Sequence, residues 1–131
     1  MTTGAISDFL ENKLLDHSVG TAAFAMPATV YLALYSSSPT DADTGTELTG
    51  KAGYARQIIT FGAAAGGAAS NDVEVTFGPA AEDWGLVTHV GIRDADVAGN
   101  LLWWMELTAA KPVGDGDSFT VPIGDLDLSL D

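Results

Sequence analysis

Residues 84–107, WGLVTHVGIRDADVAGNLLWWMEL, constrain this chain more than any other segment. They read as a two-stranded hairpin, in which side chains two apart share a face. On the first arm Leu86, Thr88, Val90 and Ile92 form one set, against Val87, His89, Gly91 and Arg93. On the return arm Leu101, Trp103, Met105 and Leu107 alternate with Leu102, Trp104 and Glu106. The first set of each arm is read as the buried face. The second is also partly apolar, through Val87, Leu102 and Trp104. A sheet that needs cover on both faces in a chain of 131 residues suggests a partner subunit, and assembly rather than catalysis.

Around this hairpin the pattern is mainly β. Residues 4–18 have helical spacing: Ile6, Leu10 and Leu14 recur four apart, with Phe9 beside them and His17 extending the stripe. Asp8 and Glu11 suit a helix N-terminus, Thr2, Thr3 and Ser7 are candidate caps, and Gly20 is a stop. From Pro27 on the period becomes two. Residues 28–35 (ATVYLALY) read as a strand closed by a Ser-Ser-Ser-Pro turn, a polar loop covers 36–53, and 54–61 (YARQIITF) form a second strand. Residues 62–71 (GAAAGGAASN) read as a connection, and 72–77 as a short strand. Near the end Phe119, Val121 and Ile123 occupy odd positions, whereas Leu126, Leu128 and Leu130 occupy even ones. An extra residue at Gly124-Asp125 would keep both sets inward, as a bulge or a corner between sheets does, and Pro122 marks an edge strand. Six or seven short strands with one leading helix predict a single-domain antiparallel β-sandwich or small barrel over residues 1–131, the β part spanning 28–130.

Composition narrows the partners. The 47% hydrophobic content fits a cored domain. Eighteen acidic residues face only Lys13, Lys51, Arg56, Arg93 and Lys111, a net charge of −13. Nucleic-acid affinity rests on Lys and Arg contacts that release counterions, so DNA and RNA are excluded as expected partners, and an anionic membrane is disfavoured likewise. No run approaches the length of a membrane span, and residues 1–18 lack the basic and apolar regions of a signal peptide, so synthesis and retention in the cytoplasm, or exit by a route other than secretion, are expected. The absence of cysteine excludes disulfides and thiolate metal sites and fits a reducing compartment.

The residues offer little catalytic chemistry. His17 and His89 are the two histidines, with no HxH or HExxH spacing to form a zinc site. His89 falls beside Trp104 on the hairpin and reads as a packing or interface residue. No serine lies in a nucleophile elbow, and no P-loop is present. The acid pairs Asp94/Asp96, Asp115/Asp117 and Asp125/Asp127 are spaced as turn residues. Residues 41–47 (DADTGTE) superficially resemble a calcium loop, but the glycine falls fifth rather than sixth and the distal glutamate is missing. A flexible surface loop is the default reading. No metal and no cofactor are expected.

Several blocks carry a resemblance: ATVYLALY at 28–35, Pro39-Thr40-Asp41, Thr44-Gly45-Thr46-Glu47, Gly53-Tyr54-Ala55-Arg56-Gln57, Asp83-Trp84-Gly85, Thr88-His89-Val90-Gly91-Ile92 and Gly99-Asn100-Leu101-Leu102. With them, nearly the whole chain resembles a family of small virion proteins of tailed bacteriophages, commonly labelled tail fibre proteins and related to head decoration (cement) proteins. The resemblance implies a virion structural protein without enzymatic activity, made in the host cytoplasm. A fibre gains reach from long repeats, a coiled coil or a β-helical shaft, none of which occurs here. The favoured expectation is therefore a decoration protein on the outside of the head, bound to the major capsid protein. A tail fibre, tail-tip or head-fibre base bound to tail proteins is the alternative, and a carboxylate-based glycan hydrolase the remote one. The role suggests a homotrimer, with Ile6, Leu10 and Leu14, or His89, Leu102 and Trp104, at its contacts.

Overall fold

The hairpin forms, but two irregularities break its alternation. The structure, a computed structural model, describes residues 1–130. In chain order the elements are β1 (Ala5–Ile6), α1 (Asp8–Ser18), β2 (Val30–Tyr35), β3 (Gln57–Ile59), β4 (Ala68–Ser70), β5 (Val75–Phe77), β6 (Gly85–Arg93), β7 (Leu101–Val113), β8 (Phe119–Val121) and β9 (Asp127–Ser129). Between β6 and β7 the register slips twice, at Val87/His89 and at Ile92/Arg93. At the second slip Leu102 is the extra residue, since Ile92 faces Trp103 and Arg93 faces Leu101. A bulge moves the following side chains to the opposite face. Leu102 therefore joins the main core and Leu101 turns to the other side, the reverse of strict alternation. The first slip does the same to the start of β6. Val87 is fully buried, and Leu86, expected in the core, is half-exposed.

A five-stranded antiparallel sheet runs in the order β1-β7-β6-β2-β3. Two antiparallel ribbons, β4-β9 and β5-β8, supply the facing material. Leu32, Leu34, Val90, Ile92 and Met105 from the sheet meet Val75, Phe77, Phe119 and Val121 from the second ribbon in one apolar cluster. Phe77 and Phe119 pack edge to face, with ring centroids 6.2 Å apart. The arrangement is sandwich-like. No sheet closes among the described residues, so the small-barrel alternative is not realised.

The predicted helix begins later than its spacing suggests. Ala5 and Ile6 pair with Trp104 and Trp103 as an edge strand, so Ile6 does not belong to the helical stripe. Of the three candidate caps, Ser7 is used: its hydroxyl accepts from the Leu10 N–H and donates to the Leu101 carbonyl, fixing α1 to the hairpin. The expected strands shorten to β2, β3 and β5, while the Ala/Gly connection contains β4, whose small residues carry no strand pattern. The C-terminal phase shift is a crossing between ribbons, from β8 beside β5 to β9 beside β4. Buried Asn71 staples this corner, donating to the Pro122 and Val73 carbonyls and accepting from the Leu126 N–H. Leu126 is buried as expected, whereas Ile123 and Leu130 are exposed.

Gly91 sits where β6 crosses under Tyr35 and Leu101. A Cβ there would lie 2.8 Å from Tyr35 Cε1 and 2.9 Å from Leu101 Cδ1, both on buried side chains. Gly91→Ala should therefore destabilise the fold by about 1–3 kcal/mol, the usual cost of overpacking. Thermal unfolding checks it, and an unchanged melting temperature would show that Tyr35 yields freely.

Candidate functional site

The second face of the sheet is covered by the chain's own loop. Ala33, Tyr35, Gly91 and Leu101 are all buried there, beneath residues 36–47. The loop is held down by two arginines. Arg93 ends β6 with its side chain 9% exposed, and a guanidinium that cannot lose its proton must find an anion. It forks onto Asp43, with Nη1 to Oδ1 at 2.8 Å and Nη2 to Oδ2 at 2.9 Å, and also donates to the Tyr35 hydroxyl and the Gly99 carbonyl. Arg56 forms the more enclosed pair, donating to both oxygens of Glu47 at 2.8 and 2.9 Å. Its remaining N–H groups reach the carbonyls of Ala95 and Ala98 in the hairpin turn. Burial works against the positive form of Arg93, but its bonds to Asp43 and Tyr35 outweigh it and raise the pKa. The result is a strap from the loop to the hairpin tip. Both arginines donate to the carbonyl of Ala98, which holds a left-handed conformation at φ 54°.

Tyr54 connects the strap to the core. Its ring stacks on Phe77 and meets Trp84 edge to face, while its hydroxyl donates to Glu47 at 2.7 Å and accepts from the Leu34 N–H. Burial and the adjacent Glu47 carboxylate both push the Tyr54 hydroxyl well above the ordinary tyrosine range. Burial alone would raise the Glu47 carboxyl, but the Arg56 and Tyr54 hydrogen bonds outweigh it and hold it below its usual 4.5. This role for Glu47, Tyr54, Arg56 and Arg93 was not foreseen from sequence. The available signal was Arg93 itself, a permanent cation inside an apolar strand.

The acids of the loop have partners within the chain. Asp43 and Glu47 are occupied by arginines, and Asp41 accepts from the Trp104 indole N–H at 2.8 Å. Gly45 meets a packing demand, since a Cβ would fall 2.6 Å from the Pro39 Cα. Asp41, Asp8 and Glu11 bring carboxylate oxygens within 4.8 Å of one another at the start of α1, where the helix N-terminus favours negative charge. The two histidines are engaged separately: His17 accepts from the Phe24 N–H, and His89 Nδ1 contacts the Thr88 hydroxyl. One member of each acid pair has a partner: Asp94 holds Asn100 and Asp117 the Gly114 N–H within turns, while Asp127 accepts from Ser70 across the β4-β9 ribbon.

The expected interface residues divide. Leu10 and Leu102 are largely buried inside the subunit, at 6% and 4% exposure, and both line an apolar depression beside Trp103. The cause is Ser7 anchoring α1 for Leu10, and the bulge for Leu102. Ile6, Leu14, His89 and Trp104 are half-buried. The rings of His89 and Trp104 lie 5.9 Å apart, so the expected neighbourhood exists.

A family model described as "Podophage GP4 fiber I protein gp80" matches residues 5–129, which take in the strap, the hairpin and both ribbons. The chain belongs to this family. It is thereby a phage virion structural protein. No curated protein matches the chain. Within this gp80-type fold, the blocks that carry the resemblance meet at the strap: Glu47 from TGTE, Tyr54 and Arg56 from GYAR, and Gly99 from GNLL.

The strap should give the gp80-type fold an acid limit. Glu47 has a native pKa below its unfolded value of 4.5. Its contribution is therefore complete above pH 4.5 and is lost as pH falls through the lower native value. Glu47→Gln should flatten the melting-temperature profile below pH 4.5 and cost on the order of 3 kcal/mol at neutral pH, as breaking one side of a buried ion pair does. Thermal melts from pH 7 to 3 check both; an acid slope as steep as wild type would remove Glu47 as its source.

Proposed function

We propose that the chain is a non-enzymatic building block of a virion fibre, serving as a short module such as an adaptor or tip domain rather than as a shaft. The observation that carries this reading is the family match over residues 5–129, whose description names a fibre protein. The fold supports the module form: short antiparallel strands around one apolar cluster, with no element that extends reach. The absence of catalysis is supported by carboxylates that serve structural partners: Glu47 holds Arg56, Asp43 holds Arg93, Asp94 holds Asn100 and Asp117 holds the Gly114 N–H. A head decoration role is the second reading, favoured by the same compact acidic form, which suits an outer shell surface away from packaged DNA.

Cryo-EM difference mapping of virions with and without the protein separates the two. Density on the tail or its appendages is expected. Density spread over the head would replace the fibre reading with decoration, and hydrolysis of host glycans by the purified protein would overturn the non-enzymatic part of either. Self-association as a trimer is a separate proposal, for which the half-buried His89 and Trp104 are the remaining candidates on the hairpin. Trp104→Ala should shift the sedimenting species toward monomer, and an unchanged oligomer would remove that surface from the contact.

A further inference from the structure

The opposite face of the sheet from the strap carries an apolar groove that no described residue fills. Adjacent residues of β7 point to opposite faces, so Trp104 lies toward the loop and Trp103 floors the groove. Leu14 of α1, Phe24, Phe61 and Leu128 form the walls of a space of about 280 Å³, and no charged side chain lines it. Trp103 and Leu128 also border a second depression of about 190 Å³ that runs to Leu130. Leu14 and Leu130 border a third, between α1 and the C-terminal strand, into which Glu11 reaches. Large apolar side chains stand exposed around these depressions: Leu15 at 63% and Leu130 at 51%. Such a contiguous surface marks a binding face.

Charge selects among occupants. Arg56 and Arg93 are neutralised inside the strap, so the remaining basic side chains are Lys13, Lys51 and Lys111. Lys13 lies over the Phe9 ring and Lys111 over the Phe119 ring. The surface around the groove thus belongs to a chain of net charge −13, and the charged residue lining the connected depressions is Glu11. A second copy would bring the same excess and its own Glu11 against it. An apolar segment flanked by Lys or Arg would be drawn in by the field and could bury its side chains on Trp103 and Leu128.

We propose that this groove is the attachment site for an apolar, basic-flanked segment of another virion protein. The source of the segment rests on the virion reading above; the chemistry of the groove does not. The test uses the full-length protein and two short synthetic peptides of alternating leucine and serine, one ending in lysines and the other in glutamates. Binding is followed by NMR shifts of the Trp103 indole and of Leu14 and Leu128. The lysine peptide should bind at these residues, more tightly at low salt, and the glutamate peptide should not. Leu15→Gln and Leu130→Gln alter exposed side chains without adding charge, so both should retain the wild-type melting temperature while weakening the lysine peptide about tenfold, which is the scale of one lost apolar side chain.

Equal binding of both peptides, no binding, or indifference to both substitutions would overturn the proposal. So would a wild-type dimer at high salt that either substitution dissolves, which would make a second copy the occupant. Complementing particles that lack the protein separates this proposal from the virion reading. If wild type is incorporated and the folded Leu15→Gln/Leu130→Gln variant is not, the groove is the attachment site. Incorporation of both at equal level would overturn it. If wild type itself fails to incorporate, the virion reading fails, and the peptide result alone decides the groove.

Discussion

Two guanidinium groups, neither able to shed its charge, determine how the second face of the sheet is closed. Arg93 rises from a strand whose neighbours are Gly91 and Ile92, and without an anion its burial would cost several kcal/mol. The anion comes from Asp43, far away in sequence, and bringing it into place lays the loop over Ala33, Tyr35 and Leu101. Arg56 repeats the device with Glu47, and its pair is the more enclosed: side-chain exposures are 7% and 12%, against 9% and 37% for Arg93 and Asp43. The Arg56 pair is accordingly less screened by water and the more damaging to break. An ion pair of this kind adds modest net stability over an apolar equivalent. What it supplies here is a fixed position for a loop whose own residues have no regular hydrogen-bond ladder.

The strap also joins regions that would otherwise share little. Tyr54 places its ring between Phe77 and Trp84 and its hydroxyl on Glu47, so the packing of the main core and the polar loop are mechanically one unit. The hairpin turn is drawn in at Ala95, Ala98 and Gly99, leaving Val97 exposed at a tip held from both sides. This convergence explains why segments as separate as 44–47, 53–57 and 99–102 carry the family resemblance together. They meet at one set of hydrogen bonds, and a change in any one of them would leave a buried partner unsatisfied.

How much of this was legible in the sequence follows from the range of each signal. The helix after Ser7, the strand at Val30–Tyr35, the hairpin and the C-terminal phase shift were readable because each depends on residues a few positions apart. The bulges were not, since period-two reasoning assumes an unbroken ladder, and Leu101 and Leu102 are equally apolar on either side of the slip. That single ambiguity put Leu102 on an expected interface when it belongs to the core. Strand β4, made of Ala68, Ala69 and Ser70, gives no alternation to read. The strap was hidden for a different reason: ion pairs between residues 9 and 50 apart leave no local pattern, and acids in a loop look solvated until their arginines are found. The same limit hid the loop that lies over the second face of the sheet.

The two faces of the sheet therefore have opposite logic. One is closed by charge pairs internal to the subunit, with His89 and Trp104 left half-buried. The other keeps Trp103, Phe24, Phe61 and Leu128 only partly covered, although the chain has helix, ribbon and loop immediately beside them. A fold with its own closure on the strap side does not require a neighbour to hold its main core, because Leu32, Leu34, Val90 and Phe77 are already fully buried. Folding and attachment are thus separable in this chain: the first rests on the strap and the bulged hairpin, while the second has an open apolar surface whose exposed rim can change without reaching the core.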